Sequence, residues 1–479
     1  SLLTMGRRVW VFAEFLGSSY MIGFSEGFHD AAIAVVHKNT ISYAAHSERY
    51  SKRKHDKRLD LTAVTMARGL NIHDDIVAFY ENPTVKRSRQ LYAGQKAWRK
   101  DRELSLQPNR CFDHHKSHAA AAFQTSNFSR AACVVVDSIG EWDCSSVWTA
   151  DIVNGSAVYK KRWSRRYPKS IGLWYSALTK WAGLKPLDEE YIFMGMAAFG
   201  KPSHTKELRA LLSKNNHKGI RGLEGDPCDV AKSAEVVLQE ELFEIFDIAK
   251  KYSNNICYGG GVALNCVVNT KLRERCNLWI MPNPGDAGGA LGAALLAYGK
   301  KVQFTPYLGH NIRGTVDPEE VVDHLLKHKI AGVANGRAEF GPRALGNRSL
   351  LADPREISTK DLVNEIKQRQ KFRPFAPAIL EEHCQEWFDM PEHSRHMSYV
   401  YQCKQSNLIP ACLHVDNSAR VQTVPETSES VLRPILECWY EKTGCPVLLN
   451  TSLNVRGKPM VNSTEDAKLF SSEYSVKVF

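Results

Sequence analysis

The chain has 479 residues, of which 43% are hydrophobic and 24% are charged, a composition typical of globular proteins with two or three domains. No run approaches the ~20 consecutive apolar residues of a membrane span, so we expect no membrane partner. The 12 cysteines form no CxxC pair and no regular spacing, which argues against a disulfide framework or a zinc ribbon and favours a reducing cytoplasm.

The formal net charge of +11 is unevenly distributed, because three stretches mix cations with aromatic residues. They cover residues 49–58, 86–102 and 159–169. Such stretches suit a phosphate backbone with stacked bases, whereas most charge runs are only solvated faces. Both interpretations stay open at this point.

The N-terminal elements predict a β-hairpin with two polar residues at its tip. We expect residues 1–20 to be an extension and the first strand to begin at Met21. A strand to residue 28, a glycine-containing turn with His29 and Asp30, and a second strand over 31–36 give this hairpin. His29 is then either a general base or only a turn residue.

A histidine-rich segment, 113–118, precedes four alanines and predicts a helix with Asp113 as its N-cap. On that helix His114 and His118 lie one turn apart on one face and can reach a single ion. His115 points elsewhere. An isolated HxxxH pair is more often a surface feature, so the other ligands decide the interpretation.

Two aspartates follow predicted strands of the same α/β region. Asp137 comes after the buried strand 132–136, and Asp286 comes after the strand 278–281 and before a small-residue helix over 287–294. Ligands bind at the carboxyl ends of strands in open α/β sheets, although either aspartate could also be a turn cap. Together with the histidines they suit Fe²⁺, Mn²⁺ or Zn²⁺.

Glycines and cations mark two further candidate binding regions. The GGG at 259–261 follows a strand and suits a nucleotide phosphate, although this signal alone is weak. After a Gly/Pro-rich stretch at 300–314, which suggests a domain boundary, residues 336–373 interleave arginines and lysines with glycine turns. These cations suit phosphate substrates; the alternative is a basic surface helix.

Seven motifs make the chain resemble the NodU/CmcH family of O-carbamoyltransferases from about Met21 to the C-terminus. In chain order they are HHKSHAAAAF, CYGGGVALN, GDAGGALGAAL, FGPRALGNRSLLADPR, FRPFAPAIL, ARVQTV and PVLLNTSLNVRGKP. Two positions depart from the family pattern: Ile192 stands where members often carry lysine, and Leu453 stands where phenylalanine is usual. The chain is also shorter than typical members.

The resemblance implies an α/β fold in two domains. An ASKHA domain (actin-like, duplicated ribonuclease H-like) would cover 21–305, and a YrdC-like α/β domain would cover 306–479. The second domain would make carbamoyl-adenylate from carbamoyl phosphate and ATP with Mg²⁺. The first would transfer the carbamoyl group to an acceptor hydroxyl.

The resemblance also implies residue roles. His114, His118, Asp137 and Asp286 would hold the divalent metal, and His29 and Lys54 would be catalytic. The adenylate in the first domain would contact Gly140, Gly259, Gly260, Gly261 and Asn265. The carbamoyl phosphate and ATP site of the second domain, including the KxR…SxN signature, would contain Arg343, Arg348, Lys367, Arg369, Arg373, His414, Arg420, Asn450, Ser452 and Asn454.

The resemblance leaves the acceptor open. The basic stretches favour a hydroxymethylated pyrimidine such as 5-hydroxymethylcytosine, in DNA or as a nucleotide, in a bacterial or phage-infected cytoplasm. Alternatives are a sugar or natural product, a tRNA threonylcarbamoyl reaction, or non-catalytic nucleic-acid binding. A homodimer is compatible with all of them. The candidate nucleic-acid contacts are Lys86, Arg87, Arg89, Trp98, Arg99, Arg162, Trp163, Arg165 and Arg166.

Overall fold

The computed structural model describes residues 20–69, 76–99, 106–213, 219–391 and 393–479. Nearly all of the expected N-terminal extension and the end of the second basic stretch, residues 100–102, lie outside this part. The mixed α/β class predicted from the sequence is confirmed. Among the described helices, none has the length and apolar character needed to cross a membrane.

The first five-stranded sheet has the strand order β3-β2-β1-β4-β5. Strands β1, β2 and β3 form an antiparallel meander, whereas β4 is parallel to β1 and β5 is parallel to β4. The predicted hairpin at the N-terminus is therefore confirmed. This sheet and its helices comprise β1 (Met21–Ser25), β2 (Ala32–His37), β3 (Thr40–His46), α1 (Glu48–Ser51), α2 (Leu61–Arg68), β4 (Ile76–Phe79), α3 (Pro83–Tyr92), β5 (Arg110–Cys111) and α4 (His114–Gln124).

The second sheet repeats the first, with the order β10-β9-β6-β7-β8. Its first three strands are again an antiparallel meander, and its last two run parallel to the first. One α/β topology therefore occurs twice, as a duplicated unit requires. The elements are β6 (Arg130–Gly140), β7 (Asp143–Val153), β8 (Ser156–Arg166), α5 (Ile171–Trp181), α6 (Glu190–Met196), α7 (Thr205–Ser213), α8 (Pro227–Lys250), β9 (Asn255–Gly259), α9 (Cys266–Arg273), β10 (Asn277–Ile280) and α10 (Asp286–Tyr298), with 3₁₀ turns at Ala197–Phe199 and Gly261–Leu264.

Helices α4 and α10 pack between the two sheets at unusually close range. A Cβ at Gly23 of β1 would lie 2.0 Å from the Ala290 carbonyl oxygen of α10, and a Cβ at Gly292 of α10 would lie 1.8 Å from the Ser117 carbonyl oxygen of α4. Only glycine fits at such distances. The small-residue run of α10 thus allows the helix that carries the histidines to approach the helix that begins with Asp286.

The C-terminal region contains a five-stranded sheet with the order β12-β14-β19-β15-β18. Its neighbours are antiparallel except for the parallel pair β15 and β18. The YrdC-like assignment and the boundary near 305 stay predictions. The elements are β11 (Tyr307–Ile312), α11 (Pro318–His328), β12 (Ile330–Ala334), β13 (Gly336–Glu339), β14 (Arg348–Ala352), α12 (Ile357–Ile366), β15 (Ala376–Leu380), α13 (Cys384–Trp387), β16 (Val400–Gln402), β17 (Ser418–Arg420), β18 (Gln422–Val424), α14 (Leu432–Thr443), β19 (Val447–Ser452) and α15 (Thr464–Tyr474), with 3₁₀ turns at Glu381–His383, Ser406–Leu408 and Pro410–Cys412.

The C-terminal region packs directly against the duplicated region. The Arg49 guanidinium donates to the Gly341 carbonyl oxygen at 3.1 Å. The Thr270 hydroxyl of α9 donates to the Val400 carbonyl oxygen of β16 at 3.0 Å. Hydrophobic residues of both regions also share one core cluster, for example Phe193 and Trp387. A cavity between the regions is therefore bounded by fixed walls.

Candidate functional site

Four residues predicted as metal ligands converge between the two sheets. His114 and His118 lie one turn apart on α4, whose N-cap Asp113 accepts a backbone N–H in the first turn. Asp137 lies on β6, which continues to Gly140 and is thus longer than the predicted strand 132–136. Asp286 is the first residue of α10. One donor atom of each ligand residue lies within 4.8 Å of those of the other three.

The geometry of this four-ligand site directs all four side chains to one point. Asp137 Oδ2 lies 3.1 Å from His114 Nε2 and 3.4 Å from His118 Nε2. Asp286 Oδ1 lies 3.4 Å from His114 Nε2 and 3.5 Å from His118 Nε2. The two Nε2 atoms are themselves 3.0 Å apart.

The electrostatics of the four residues fit a bound divalent cation. All four are buried. Burial alone opposes charge, but the carboxylates outweigh it and raise the pKa of His114 well above its usual value. Burial and the neighbouring Asp137 raise the pKa of Asp286, but the histidines reverse this and hold it below its usual value. Two imidazole nitrogens and two carboxylate oxygens are a donor set for Fe²⁺, Mn²⁺ or Zn²⁺.

Glu81 lies behind His114 and was not found from the sequence. Its Oε2 atom lies 3.9 Å from His114 Nδ1, and it is bound by Lys86 at 2.7 Å and by Arg89 at 2.9 Å. Glu81 is fully buried. Carboxylates that face the second nitrogen of a ligand histidine commonly orient its ring. No motif points to Glu81, because its partner His114 is distant in sequence.

The second basic stretch is therefore not a nucleic-acid surface at three of its predicted positions. Lys86 and Arg89 are buried against Glu81, and Trp98 is buried in parallel stacking on Phe79 with ring centroids 4.8 Å apart. These three predictions are wrong, because a buried side chain cannot contact a nucleic acid. Among the other candidates of this stretch, Arg87 and Arg99 are exposed.

The third basic stretch forms β8, the outer strand of the second sheet. Arg162 and Arg166 are exposed, Arg165 pairs with Glu241, and Trp163 packs partly buried against the core. Charged side chains on an edge strand prevent pairing with other sheets. This role explains the charges without a ligand.

His115 turns away from the four-ligand site, as the helical spacing predicts. Its Nδ1 atom lies 2.7 Å from the Ser146 hydroxyl of β7. Burial and the charge of His114 lower the pKa of His115 to about 3. That it is dispensable for metal binding stays a prediction.

The predicted adenylate loop lies beside the four-ligand site. Gly260 has φ +91°, and a Cβ there would lie 2.2 Å from the Val136 carbonyl oxygen, while a Cβ at Gly261 would lie 3.3 Å from Asp137 Oδ1. The backbone at Gly140 is packed equally closely, since a Cβ there would lie 2.2 Å from the His114 ring. Gly259 ends β9. Asn265 caps α9 with its side chain, which is a structural role.

His29 and Lys54 lie in one hydrogen-bonded group at the tip of the first hairpin. His29 Nδ1 is 2.8 Å from Asp30 Oδ2, and Lys54 Nζ donates to Glu48 at 2.9 Å. The charge of Asp286 adds to the hydrogen bond and charge of Asp30 in raising the pKa of His29. The remaining members of this group, His55 and Asp188, were not predicted from the sequence.

An arginine pocket of about 720 Å³ lies between the duplicated and C-terminal regions. Of the five arginines that line it, Arg343, Arg369, Arg373 and Arg420 form no ion pair with a carboxylate among the described residues. Burial is the first cause that lowers the pKa of Arg343, to about 9, and the charge of Arg420 adds to it. The side chains that line the pocket include Tyr191, Ile192, Cys266, Arg343, Arg369, Arg373, Phe375, His414 and Arg420.

The two halves of the predicted KxR…SxN signature contact each other, and its Arg369 lines this pocket. Lys367 Nζ donates to the Asn454 carbonyl oxygen at 2.8 Å and lies 3.3 Å from the Ser452 hydroxyl. Burial, Arg369 and Arg373 together hold the pKa of Lys367 well below its usual value. Arg369 stacks on the Phe375 ring with its guanidinium carbon 3.9 Å from the centroid.

Two predicted members of this phosphate site are instead structural. Arg348 is completely buried and donates only to backbone carbonyl oxygens, including those of Asn335 and His310. Asn450 is buried, and its amide donates to Gln422 at 2.7 Å. Both predictions are wrong, since neither side chain has a free donor facing the pocket. The departures Ile192 and Leu453 are buried, Ile192 at the pocket wall.

Comparisons with known proteins identify the family of the chain. The family description "Carbamoyltransferase C-terminus" matches residues 322–479, and "Carbamoyltransferase N-terminus" matches residues 91–222 and 215–295. A solved structure of HypF from T. kodakarensis has 13% identity and a TM-score of 0.32 over 58% of this chain and 47% of that one. That structural likeness is too low to support an argument.

Several curated relatives cover nearly the whole chain. An uncharacterized protein of Synechocystis sp. is 31% identical over 94% of this chain and 93% of its own length. Nodulation protein NolNO of Sinorhizobium fredii is 29% identical over 92% of this chain and 76% of its own. The 3'-hydroxymethylcephem-O-carbamoyltransferase of Streptomyces clavuligerus is 28% identical over 93% of this chain and 95% of its own length. The chain therefore belongs to the carbamoyltransferase family, the NodU/CmcH group that its motifs resemble.

Proposed function

We propose that this carbamoyltransferase works in two stages at two sites. In the arginine pocket, water hydrolyses carbamoyl phosphate to carbamate and phosphate, and a carbamate oxygen then attacks the α-phosphate of ATP to give carbamoyl-adenylate and pyrophosphate. The carbamoyl group then passes to an acceptor hydroxyl beside the four-ligand site, with release of AMP. The observation that carries this proposal is that the two sites adjoin along the chain. The glycine loop beside the four-ligand site ends at Asn265, and the next residue, Cys266, lines the arginine pocket.

The arginine pocket is suited to the first stage because four of its arginines have no carboxylate ion pair among the described residues. Arg369 and Arg373 would bind phosphate oxygens with paired N–H donors. The Lys367 ammonium donates to the side chains of Ser452 and Asn454 and would hold this part of the signature in place. These cations stabilise the charge that develops on the pyrophosphate as it leaves the α-phosphate.

The four-ligand site is suited to the second stage. His114, His118, Asp137 and Asp286 would hold the cation, which when bound supplies Lewis-acid polarisation and a template for the phosphate. The glycine loop at 259–261 would contact the adenylate beside the cation. His29 Nε2 would take the proton of the acceptor hydroxyl as its oxygen attacks the carbamoyl carbon. Lys54 would add positive charge nearby.

A small hydroxylated molecule is the acceptor that the observations favour. The burial of Lys86, Arg89 and Trp98 removes the main support for DNA. The relative from Streptomyces clavuligerus is named for a hydroxymethyl group on a small ring system, and we extend that acceptor class to this chain. Hydroxymethylcytosine, as DNA or nucleotide, is retained as an outcome of the test.

The test is incubation of the full chain with ATP, Mg²⁺, carbamoyl phosphate and hydroxylated acceptors, read by mass spectrometry. The acceptors are hydroxymethylated heterocycles, sugars, 5-hydroxymethylcytosine DNA and its nucleotide. We expect carbamoyl-phosphate-dependent pyrophosphate release without any acceptor, and a mass gain of one carbamoyl group on a small acceptor. A requirement for threonine would indicate the threonylcarbamoyl reaction instead, and no pyrophosphate release would refute the two-stage scheme.

DNA binding is tested separately by a gel shift at low salt, where phosphate contacts are strongest. We expect no shift. A shift together with carbamoylation of the DNA would restore the nucleic-acid acceptor and overturn the small-molecule assignment.

A further inference from the structure

His55 lies between two carboxylates, with one on each ring nitrogen. Its Nδ1 atom is 2.7 Å from Asp30 Oδ1, and its Nε2 atom is 2.7 Å from Asp188 Oδ1. An imidazole satisfies two carboxylate acceptors only when both nitrogens carry hydrogen. Burial lowers the pKa of His55, but the bonds to Asp188 and Asp30 outweigh it and raise the pKa to about 9. His55 is therefore a cation at neutral pH.

The same aspartate also fixes His29. Asp30 uses Oδ1 for His55 and Oδ2 for His29 Nδ1, the latter at 2.8 Å. In neutral His29 the hydrogen is then on Nδ1, and Nε2 carries the lone pair. Among the described residues no hydrogen bond to His29 Nε2 is formed. The nitrogen that a general base needs is thus the one left open.

The backbone shows that this arrangement is imposed by its surroundings. Asp30 and His55 both have φ +53°, in the left-handed region that side chains other than glycine rarely adopt. The loop around His55 is fixed by Glu48, which accepts the His55 backbone N–H at 2.9 Å and the Lys54 ammonium at 2.9 Å. Unfavourable backbone conformations persist where the neighbouring contacts determine them, and they concentrate at functional sites.

We propose that His55 is a positioning residue for His29: fixed by Asp188, it orients Asp30, and Asp30 in turn holds His29 with Nε2 free for the acceptor hydroxyl. This inference rests on the proposed role of His29 as the base. The His55 cation also offsets the negative charge of Asp30. Without it, the pKa of His29 would lie still higher, and a smaller fraction of His29 would be in the neutral form that can accept a proton.

The charges around His29 hold its pKa above neutral, and the His55 cation limits that rise. Burial lowers the pKa of His29, the bond and charge of Asp30 raise it to about 9, Asp286 raises it further and His55 lowers it. The charged groups facing His55 are Asp30, Asp188 and Lys54. Removal of the His55 cation should therefore raise the pKa of His29.

A second metal site is the competing explanation, since donor atoms of His29, Asp30 and His55 lie within 4.8 Å of one another. The two histidines, however, both direct Nδ1 at the same carboxylate, and His55 Nε2 is already bonded to Asp188. Hydrogen bonds account for all these contacts without an ion. Metal analysis of the wild type decides the point.

The experiment follows His29 by NMR in the full chain labelled with ¹⁵N-histidine, which has 17 histidines. The His29 signal is assigned by its loss in His29→Asn. In His55→Asn and Asp188→Asn we expect the His29 titration midpoint to move upward by about half a pH unit or more. Asp323→Asn is the matched control, because Asp323 pairs with Lys442 at the surface, and its His29 titration should equal that of the wild type.

Activity separates this inference from the proposed function. Pyrophosphate release should be unchanged in His55→Asn and Asp188→Asn, whereas the kcat of transfer to the acceptor found above should fall at least about tenfold with KM unchanged. If His55→Asn does not fold, the shift of the His29 titration midpoint and the fall of kcat in Asp188→Asn are sufficient to support the inference. Unaltered His29 titration in both variants, or a second metal equivalent lost in His55→Asn, overturns the inference. Full transfer by His29→Asn overturns the base assignment instead.

Discussion

The four-ligand site and the arginine pocket differ in the sign of the ligand charge that would complement them. At the four-ligand site, two carboxylates face two imidazoles and leave room for a cation. In the arginine pocket, Arg343, Arg369, Arg373 and Arg420 have no carboxylate ion pair among the described residues. Unbalanced buried charge is costly. This difference supports the proposal that the four-ligand site binds a metal ion and the arginine pocket binds phosphates.

The largest expected effect comes from removing one cation of the pocket. Arg369→Ala should reduce carbamoyl-phosphate-dependent pyrophosphate release by about 10³-fold, because the loss of a charged donor at a developing charge costs about 3–4 kcal/mol. Metal content should not change. Arg395→Ala is the control, since Arg395 pairs with Glu381 at the exposed surface.

The reverse pattern is expected at the four-ligand site. His114→Ala should lose the metal and slow carbamoyl transfer by about 10²-fold or more, while pyrophosphate release stays near the wild-type rate. Metal content is measured by elemental analysis, and transfer by mass spectrometry. His115→Asn is the matched control and should keep both. Equal loss of pyrophosphate release in Arg369→Ala and His114→Ala would refute the division between the two sites.

The same comparison shows what the sequence could predict. The ligands were identifiable because they lie at element ends or one helical turn apart, as His114 and His118 do. The signature lysine Lys367 was identifiable from its motif. Residue type and spacing are sufficient for such groups.

Burial was not identifiable from the sequence. Lys86 and Arg348 are cations in basic stretches, yet both are buried: Lys86 pairs with the nearby Glu81, and Arg348 donates to backbone carbonyl oxygens of distant segments. Their burial is set by tertiary packing, which a local pattern does not record. Glu81, His55 and Asp188 escaped notice for the same reason, because each acts through a contact between separate segments.

A smaller effect is expected from Glu81, which ties the metal ligand to two buried cations. Glu81→Gln should weaken metal binding by about tenfold, because residues that orient a ligand histidine contribute about 10–100-fold to affinity. Competition with a chelator measures the dissociation constant in the folded protein. Unchanged affinity would show that His114 needs no support behind it, and that the four-ligand site is set by its ligands alone.

The smallest expected effect is on the free energy of unfolding, and it comes from the segment that contains Asp188 and Glu189. Asp188 binds His55, and Glu189 pairs with Arg456 of the C-terminal region. The pKa of His55 is raised from 6.5 to about 9, so its contribution is complete below pH 6.5 and is lost as pH rises through 9. The pKa of Asp188 is lowered from 3.8 to about 2, so its contribution is complete above pH 3.8 and is lost as pH falls through 2. Asp188→Asn should therefore lower the free energy of unfolding by about 1 kcal/mol near pH 5.5 and by less near pH 9.5. Urea midpoints at both pH values measure this difference, with Asp323→Asn as the control. An equal loss of unfolding free energy at both pH values would mean that the His55 charge does not contribute and that only packing stabilises this segment.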